Sequence, residues 1–178
     1  MIAAVAMLGG VLYASWQAVA SSDDPGDGGA TNRTADPDFS LTDEQAISRF
    51  EQLVGLSYVA IRNRDQSLLS QIFTAASPTK DRSARVISEL KRDRVVDEST
   101  YDTVSLEVLE NAPREVQLLQ RVRTRPCFRS EAGKDVTTGS AEIEYDIAWT
   151  MQLSDSRWLL HESEARNDDV TDESDASC

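Results

Sequence analysis

The spacing of apolar residues along the chain changes near residue 100, and this change predicts helices followed by strands. Before that point apolar residues recur every three or four positions, as in helices with one buried face. After it they alternate with polar residues, as in strands with one buried face. The first predicted helix carries its apolar face on Ile47, Phe50, Leu53, Val54, Tyr58 and Ile61. The order predicts an α+β fold.

Polar capping residues set the predicted starts of three helices. Thr42 and Gln45 have the spacing of a capping box, which predicts a first helix from this point to about Arg62. Asp65 can cap a short second helix, and Ser77 precedes a proline that suits the first turn of a third. The residues predicted to face inward from the second and third helices are Leu68, Leu69, Ile72, Phe73, Val86, Ile87 and Leu90.

About four strands follow, joined by short turns, so the sheet is expected to be antiparallel with the helices on one face. The first is predicted to place Asp102, Val104, Leu106 and Val108 on one face. The second places Val116, Leu118, Gln120 and Val122 on one face, and Leu119, Arg121, Arg123 and Arg125 on the other. The third turns Ile143, Tyr145, Ile147, Trp149 and Met151 to one side. The last begins at Trp158 and is expected to reach about Glu164.

The segment 2–20 has no charged residue and predicts one hydrophobic helix ahead of the domain. Nineteen helical residues rise about 28 Å, close to the thickness of a bilayer's hydrocarbon core. A membrane anchor is therefore predicted, through which the chain contacts the lipid bilayer. The alternative is a signal peptide cleaved near Ala20, since small residues precede Ser21. Both alternatives place the remaining chain outside the cytoplasm.

Acidic residues concentrate in two segments of this chain, whose formal net charge is -13. Residues 21–40 are predicted to be a flexible linker and residues 166–178 a disordered tail, which leaves 41–165 as the domain. Such acidity argues against nucleic-acid binding. With one His and two Cys, the chain cannot supply an ordinary zinc site, and no metal or cofactor is expected.

The order of elements resembles the NTF2-like superfamily, a cone of three helices wrapped by a curved antiparallel sheet. The segments that carry the resemblance are 58–65, 68–73 and 157–160. With its apolar anchor and acidic linker, the chain also looks like the Mce-associated proteins of actinobacterial envelopes. That resemblance implies a non-catalytic accessory subunit whose partner is an integral membrane protein complex, a transporter or a respiratory assembly. The alternative is a pocket protein that binds, or transforms, a small apolar ligand.

Enzymes of this superfamily place an Asp or His with a Tyr inside the cone, where a dry pocket can raise a carboxyl pKa. Asp102, Tyr145 and His161 could occupy those positions. Asp102 lies near a strand start, and His161 stands among acidic residues near the domain edge. No acid–base pair can be placed by spacing, so structural roles are expected and no catalytic residue is predicted.

Three arginines and two cysteines remain as candidate functional residues. Arg121, Arg123 and Arg125 share one strand face and are expected either to pair with carboxylates on the next strand or to form a face for a partner. A homodimer through this face is a further alternative. Cys127 and Cys178 could form an internal disulfide, stay free, or bridge two chains.

Overall fold

The computed structural model describes the backbone of residues 39–138, 140–175 and 178. The predicted anchor, residues 2–20, lies outside the described residues, as does the linker up to residue 38. None of the helices in the described part of the chain is long and apolar enough to cross a membrane. Residues 39–178 form one compact unit.

In the described part of the chain the helices precede the strands, as the change of pattern predicted. The helices are α1 (Asp43–Arg62), α2 (Leu69–Ile72), which a 3₁₀ turn at Gln66–Leu68 precedes, and α3 (Pro78–Asp93). The strands are β1 (Val95–Asp97), β2 (Thr100–Ala112), β3 (Glu115–Arg125), β4 (Phe128–Ser130), β5 (Ser140–Ser154) and β6 (Arg157–Asp175).

The predicted caps begin the helices. The amide of Gln45 donates to the Thr42 hydroxyl at 3.3 Å, and the Gln45 side chain accepts from the Thr42 amide at 2.9 Å, so the capping box is confirmed. The Asp65 carboxylate accepts from the amide of Ser67, and the Ser77 hydroxyl accepts from the amide of the fourth residue of its turn. Side chains therefore satisfy N–H groups that the helix starts leave unpaired.

A four-stranded antiparallel sheet in the order β2-β3-β5-β6 lies against the helices. On β3 the even-numbered residues are buried and the odd-numbered ones partly exposed, which confirms the predicted alternation. On β5, Trp149 lies opposite Leu118 and Met151 lies opposite Val116, so these residues share the buried face as predicted. The core between helices and sheet includes Phe50, whose ring meets Trp149 edge-on at 5.5 Å.

The predicted face of β2 is confirmed for Leu106 and Val108 but was wrong for Asp102 and Val104, because two irregularities interrupt the alternation. The register shifts between Thr103 and Ser105, and again between Val108 and Glu110. Each shift inserts one residue that has no partner on β3, so the side chains after it change faces. The inserted residues, Val104 and Leu109, are each 45% exposed, whereas Leu106 and Val108 pack against the core.

The last strand also extends further than predicted. β6 continues to Asp175 and pairs with β5 along its length, whereas the pattern placed its end near Glu164 and a disordered tail after it. Ladder hydrogen bonds join backbone groups and do not require apolar side chains, so a long β5 can pair with an acidic segment. Most of the predicted tail is therefore strand in the structure.

A second, small sheet lies apart from the main one and has no counterpart in the predicted order. β1 and β4 pair antiparallel, with Val95 opposite Ser130 and Asp97 opposite Phe128. We call this pair the ribbon. Its strand β1 directly precedes β2 along the chain, and its strand β4 directly follows β3. The ribbon therefore lies next to the first residues of β2.

Candidate functional site

A cleft of about 260 Å³ opens between the C-terminal part of α1 and the start of β2. From the helix it is lined by Tyr58, Val59 and Arg62, and from the strand by residues 99–102. The rings of Tyr58 and Tyr101 stack with centroids 4.2 Å apart and planes within 7°. We call this site the tyrosine cleft.

Hydrogen bonds hold the strand side of the tyrosine cleft. The Tyr101 hydroxyl donates to one oxygen of Asp97 at 3.0 Å, and the amide of Ser99 donates to the other at 2.9 Å. An Arg62 N–H donates to the carbonyl of Ser99 at 3.1 Å, which ties the helix to the same segment. Burial raises the pKa of both Tyr58 and Tyr101, and for Tyr101 the nearby Asp97 carboxylate adds to the effect. Both phenols therefore stay protonated at physiological pH.

Interlocked side chains fill the interior beside the cleft. Gln120, 1% exposed, accepts a hydrogen bond from the indole of Trp149 at 3.0 Å and donates one to the Thr103 hydroxyl at 2.9 Å. Among the described residues, no buried side-chain nitrogen or oxygen lacks a partner. The polar groups of this interior are thus paired with one another.

The structure does not bring Asp102, Tyr145 and His161 together. Asp102 lies opposite Arg123 on the outer face of the sheet and is 61% exposed at its side chain. Tyr145 lies opposite Val122 on the inner face, where its hydroxyl accepts from Thr124 at 3.3 Å. These three residues form no shared acid–base site.

His161 lies on β6 beside the start of α3, and its contacts are structural. Its Nδ1 lies 2.8 Å from the Thr74 hydroxyl, and its backbone carbonyl accepts from the hydroxyl of Ser77, the cap of α3. The imidazole therefore helps to join β6 to the segment before α3.

The three arginines form an ion-pair ladder on the outer face of the sheet. Arg123 reaches Glu144 at 3.1 Å, and Arg125 reaches Glu142 at 2.8 Å. Hydrogen bonds from Arg121, and then from Arg123, lower the pKa of Glu144. We call this set the charge ladder: Arg121, Arg123, Arg125, Glu142, Glu144 and Asp146. The arginines have the carboxylate partners that the pairing alternative required.

Cys127 and Cys178 are joined by a disulfide, with Cα atoms 5.0 Å apart and a sequence separation of 51. Of the three alternatives for these cysteines, the structure therefore has the internal disulfide. The amide of Cys127 donates to the Ser99 hydroxyl at 3.0 Å, and the amide of Cys178 donates to Asp135 at 2.8 Å. Through these contacts the disulfide connects the chain end to the ribbon and to the wall of the tyrosine cleft.

Sequence reasoning missed Asp97 and Ser99, which organise that wall. They stand in an acidic and polar stretch that has the composition of a loop, and nothing in their spacing points to a site. Within the described residues, no group of three His, Cys, Asp or Glu side chains could hold a metal ion.

Two solved structures share this fold with a TM-score of 0.51 each. Aln2 from a Streptomyces species is 12% identical, and the match covers 71% of this chain and 93% of that one. Kfla4162 from Kribbella flavida is 10% identical, and the match covers 72% of this chain and 95% of that one. No family model matches the chain, and no curated protein does. The likeness concerns the fold alone, and it agrees with the α+β architecture of helices packed against an antiparallel sheet that the element order predicted.

Proposed function

We propose that the chain is a non-catalytic accessory domain, held outside the cytoplasm by its N-terminal segment, that binds an integral membrane protein complex. One observation carries the proposal: paired side chains fill the interior where an enzyme of this fold would keep its acid and base. Gln120 and Trp149 are hydrogen-bonded to each other there, and the candidate residue Asp102 lies on the opposite face of the sheet.

Two further observations agree with the proposed compartment and role. The Cys127–Cys178 disulfide suits an oxidising environment such as the space outside a cell membrane. The uncharged segment 2–20 supplies a tether, and the resemblance to Mce-associated proteins supplies the kind of complex to look for. Transport and respiratory assemblies are the candidates that follow.

The test is recovery of partners from native membranes. The tagged full chain is isolated from its source cells in mild detergent, and a tagged segment 1–38 isolated in parallel is the control. Mass spectrometry is expected to find a defined set of integral membrane proteins with the full chain only. Equal recovery with the control, or no membrane protein at all, would exclude the proposed role.

A matched variant asks whether the charge ladder is the binding face. Replacing Arg121, Arg123 and Arg125 together with Gln removes its positive charges. Because each arginine already has carboxylate partners, we expect reduced stability and unchanged partner recovery. Docking would instead be assigned to the charge ladder if the variant kept native stability but lost its partners. In that case, partner recovery with the wild-type chain should also weaken as the salt concentration rises.

A small-molecule role is the second candidate, and the tyrosine cleft is the observation in its favour. Its volume of about 260 Å³ and its lining by Tyr58, Val59 and Tyr101 suit a small apolar group. That volume is below the roughly 300–1,000 Å³ of most ligand pockets, which is why we rank this candidate second. Native mass spectrometry of the purified chain distinguishes the two: a bound small molecule, released on unfolding, would favour the pocket.

A further inference from the structure

We propose that the Cys127–Cys178 disulfide is a redox-responsive clasp on the tyrosine cleft, which a dithiol reductant opens. The bond is accessible: Cys178 is exposed and Cys127 is half-buried. The inference stands on contacts of the domain alone and holds whichever kind of molecule the protein binds.

On one side, three hydrogen bonds lead from the disulfide to the wall of the cleft. The Cys127 amide donates to the Ser99 hydroxyl, and Ser99 in turn donates through its own amide to Asp97. Asp97 accepts from the hydroxyl of Tyr101, whose ring stacks on Tyr58. A displacement of Cys127 is therefore transmitted directly to residues that line the cleft.

On the other side, Cys178 is hydrogen-bonded to the loop after β4. The Cys178 amide donates to one oxygen of Asp135 at 2.8 Å, and the other oxygen accepts from the Thr137 amide at 2.9 Å. The Thr137 hydroxyl accepts from the amide of Phe128, the first residue of β4, at 2.9 Å. The bridge thus holds the ribbon from its β4 side.

The ribbon is the part of the domain most dependent on this clasp. Each of its strands has three residues, and besides pairing with β1, β4 forms only a short antiparallel bridge, at Arg129 and Asp135, within the described residues. Two-stranded sheets are marginally stable without further support. The main sheet has four long strands and a shared core, so we expect reduction to loosen the ribbon and the cleft wall while the main sheet persists.

The opening reaction is thiol–disulfide exchange. A thiolate of the dithiol attacks one sulfur of the bridge and forms a mixed disulfide, and the other cysteine leaves as a thiolate. The second thiol of the reductant then displaces the remaining cysteine. The reductant ends as a cyclic disulfide, oxidised by two electrons, and the chain gains two cysteine thiols.

Hydrogen exchange of the full chain in detergent, with and without dithiothreitol, tests the proposal. The amides of Glu98, Ser99, Cys127 and Phe128 are all hydrogen-bonded in the ribbon region. We expect each to exchange faster by about tenfold or more after reduction, with unchanged rates at the core amides of β3. Thiol labelling verifies that the bond has opened.

The matched variant is Cys178→Ser, which removes the disulfide without changing Cys127, whose amide contacts Ser99. It should exchange as fast without reductant as the reduced wild type does, and dithiothreitol should add nothing. Unchanged ribbon exchange after complete reduction would overturn the proposal. So would a bond that resists dithiothreitol while the domain is folded, or a rise spread equally over β3, which would make the bridge a general stabiliser.

Discussion

The hydrogen-bonded group at Gln120 offers the sharpest test of whether the interior is structural. Gln120 lies in β3, accepts from the Trp149 indole and donates to the Thr103 hydroxyl. Gln120→Leu keeps a side chain of similar size and removes both hydrogen bonds. The Trp149 N–H then loses its partner inside the protein.

The loss of stability expected for Gln120→Leu depends on which of the two hydrogen-bond partners water can reach. Thr103 is exposed, so its hydroxyl can form a hydrogen bond with water instead, and losing the bond to Gln120 costs little free energy. Trp149 is 8% exposed, so its N–H stays unpaired, at about 1–3 kcal/mol. We expect a net destabilisation of about 2 kcal/mol. Because Trp149→Phe removes the orphaned donor, the double variant should be more stable than the sum of the single changes predicts, by about 1–2 kcal/mol.

Urea unfolding measures this directly. With a slope of about 1–3 kcal/mol per molar urea, the midpoint of Gln120→Leu should fall by roughly 1 M. A neutral or stabilising result in a chain that unfolds in one step would refute the reasoning. The buried amide would then require another explanation, and ligand binding would become the stronger candidate function.

Three further changes have expected outcomes that follow from the same structure. Gly55→Ala should raise the free energy of unfolding by about 0.5–1 kcal/mol in urea, because Gly55 lies within α1 and a Cβ there meets nothing within 4 Å. Phe50→Ala should lower it by about 3–5 kcal/mol, because the ring is 1% exposed in the core. Hydrogen bonds from Thr137, and then from the Cys178 amide, lower the pKa of Asp135 to about 2. The stability advantage over Asp135→Asn should therefore be complete above about pH 4 and shrink as the pH falls towards 2, in urea titrations across that range.

The helices were predictable because their signals are local. Thr42 and Gln45 satisfy each other within one turn, and the apolar stripe behind them needs no knowledge of the rest of the chain. β3 was predictable for a similar reason: it lies between two neighbours, has one fully buried face, and so alternates without interruption.

The edge strands were harder, since their limits depend on neighbours far along the chain. Val104 is apolar and fits the alternation of Leu106 and Val108, yet it is an inserted residue on an edge strand of the sheet, as is Leu109. The acidic end of β6 has the composition of a flexible tail, and it becomes strand because β5 is long enough to pair with it.

The cleft could not be predicted at all, because its wall is built by contacts between distant segments. Asp97 and Ser99 acquire their roles only when β4 pairs with β1 and brings the Cys127 amide to the Ser99 hydroxyl. In sequence they look like loop residues, whereas the titratable residues that stand out, Asp102 and His161, make structural contacts elsewhere. Residue type alone drew attention to these two positions, and their partners agree with the structural roles that the sequence analysis expected for them. Asp97 and Ser99 differ from other polar residues only in where the ribbon places them. Perturbing the ribbon is therefore the experiment that distinguishes a functional cleft from a packing gap.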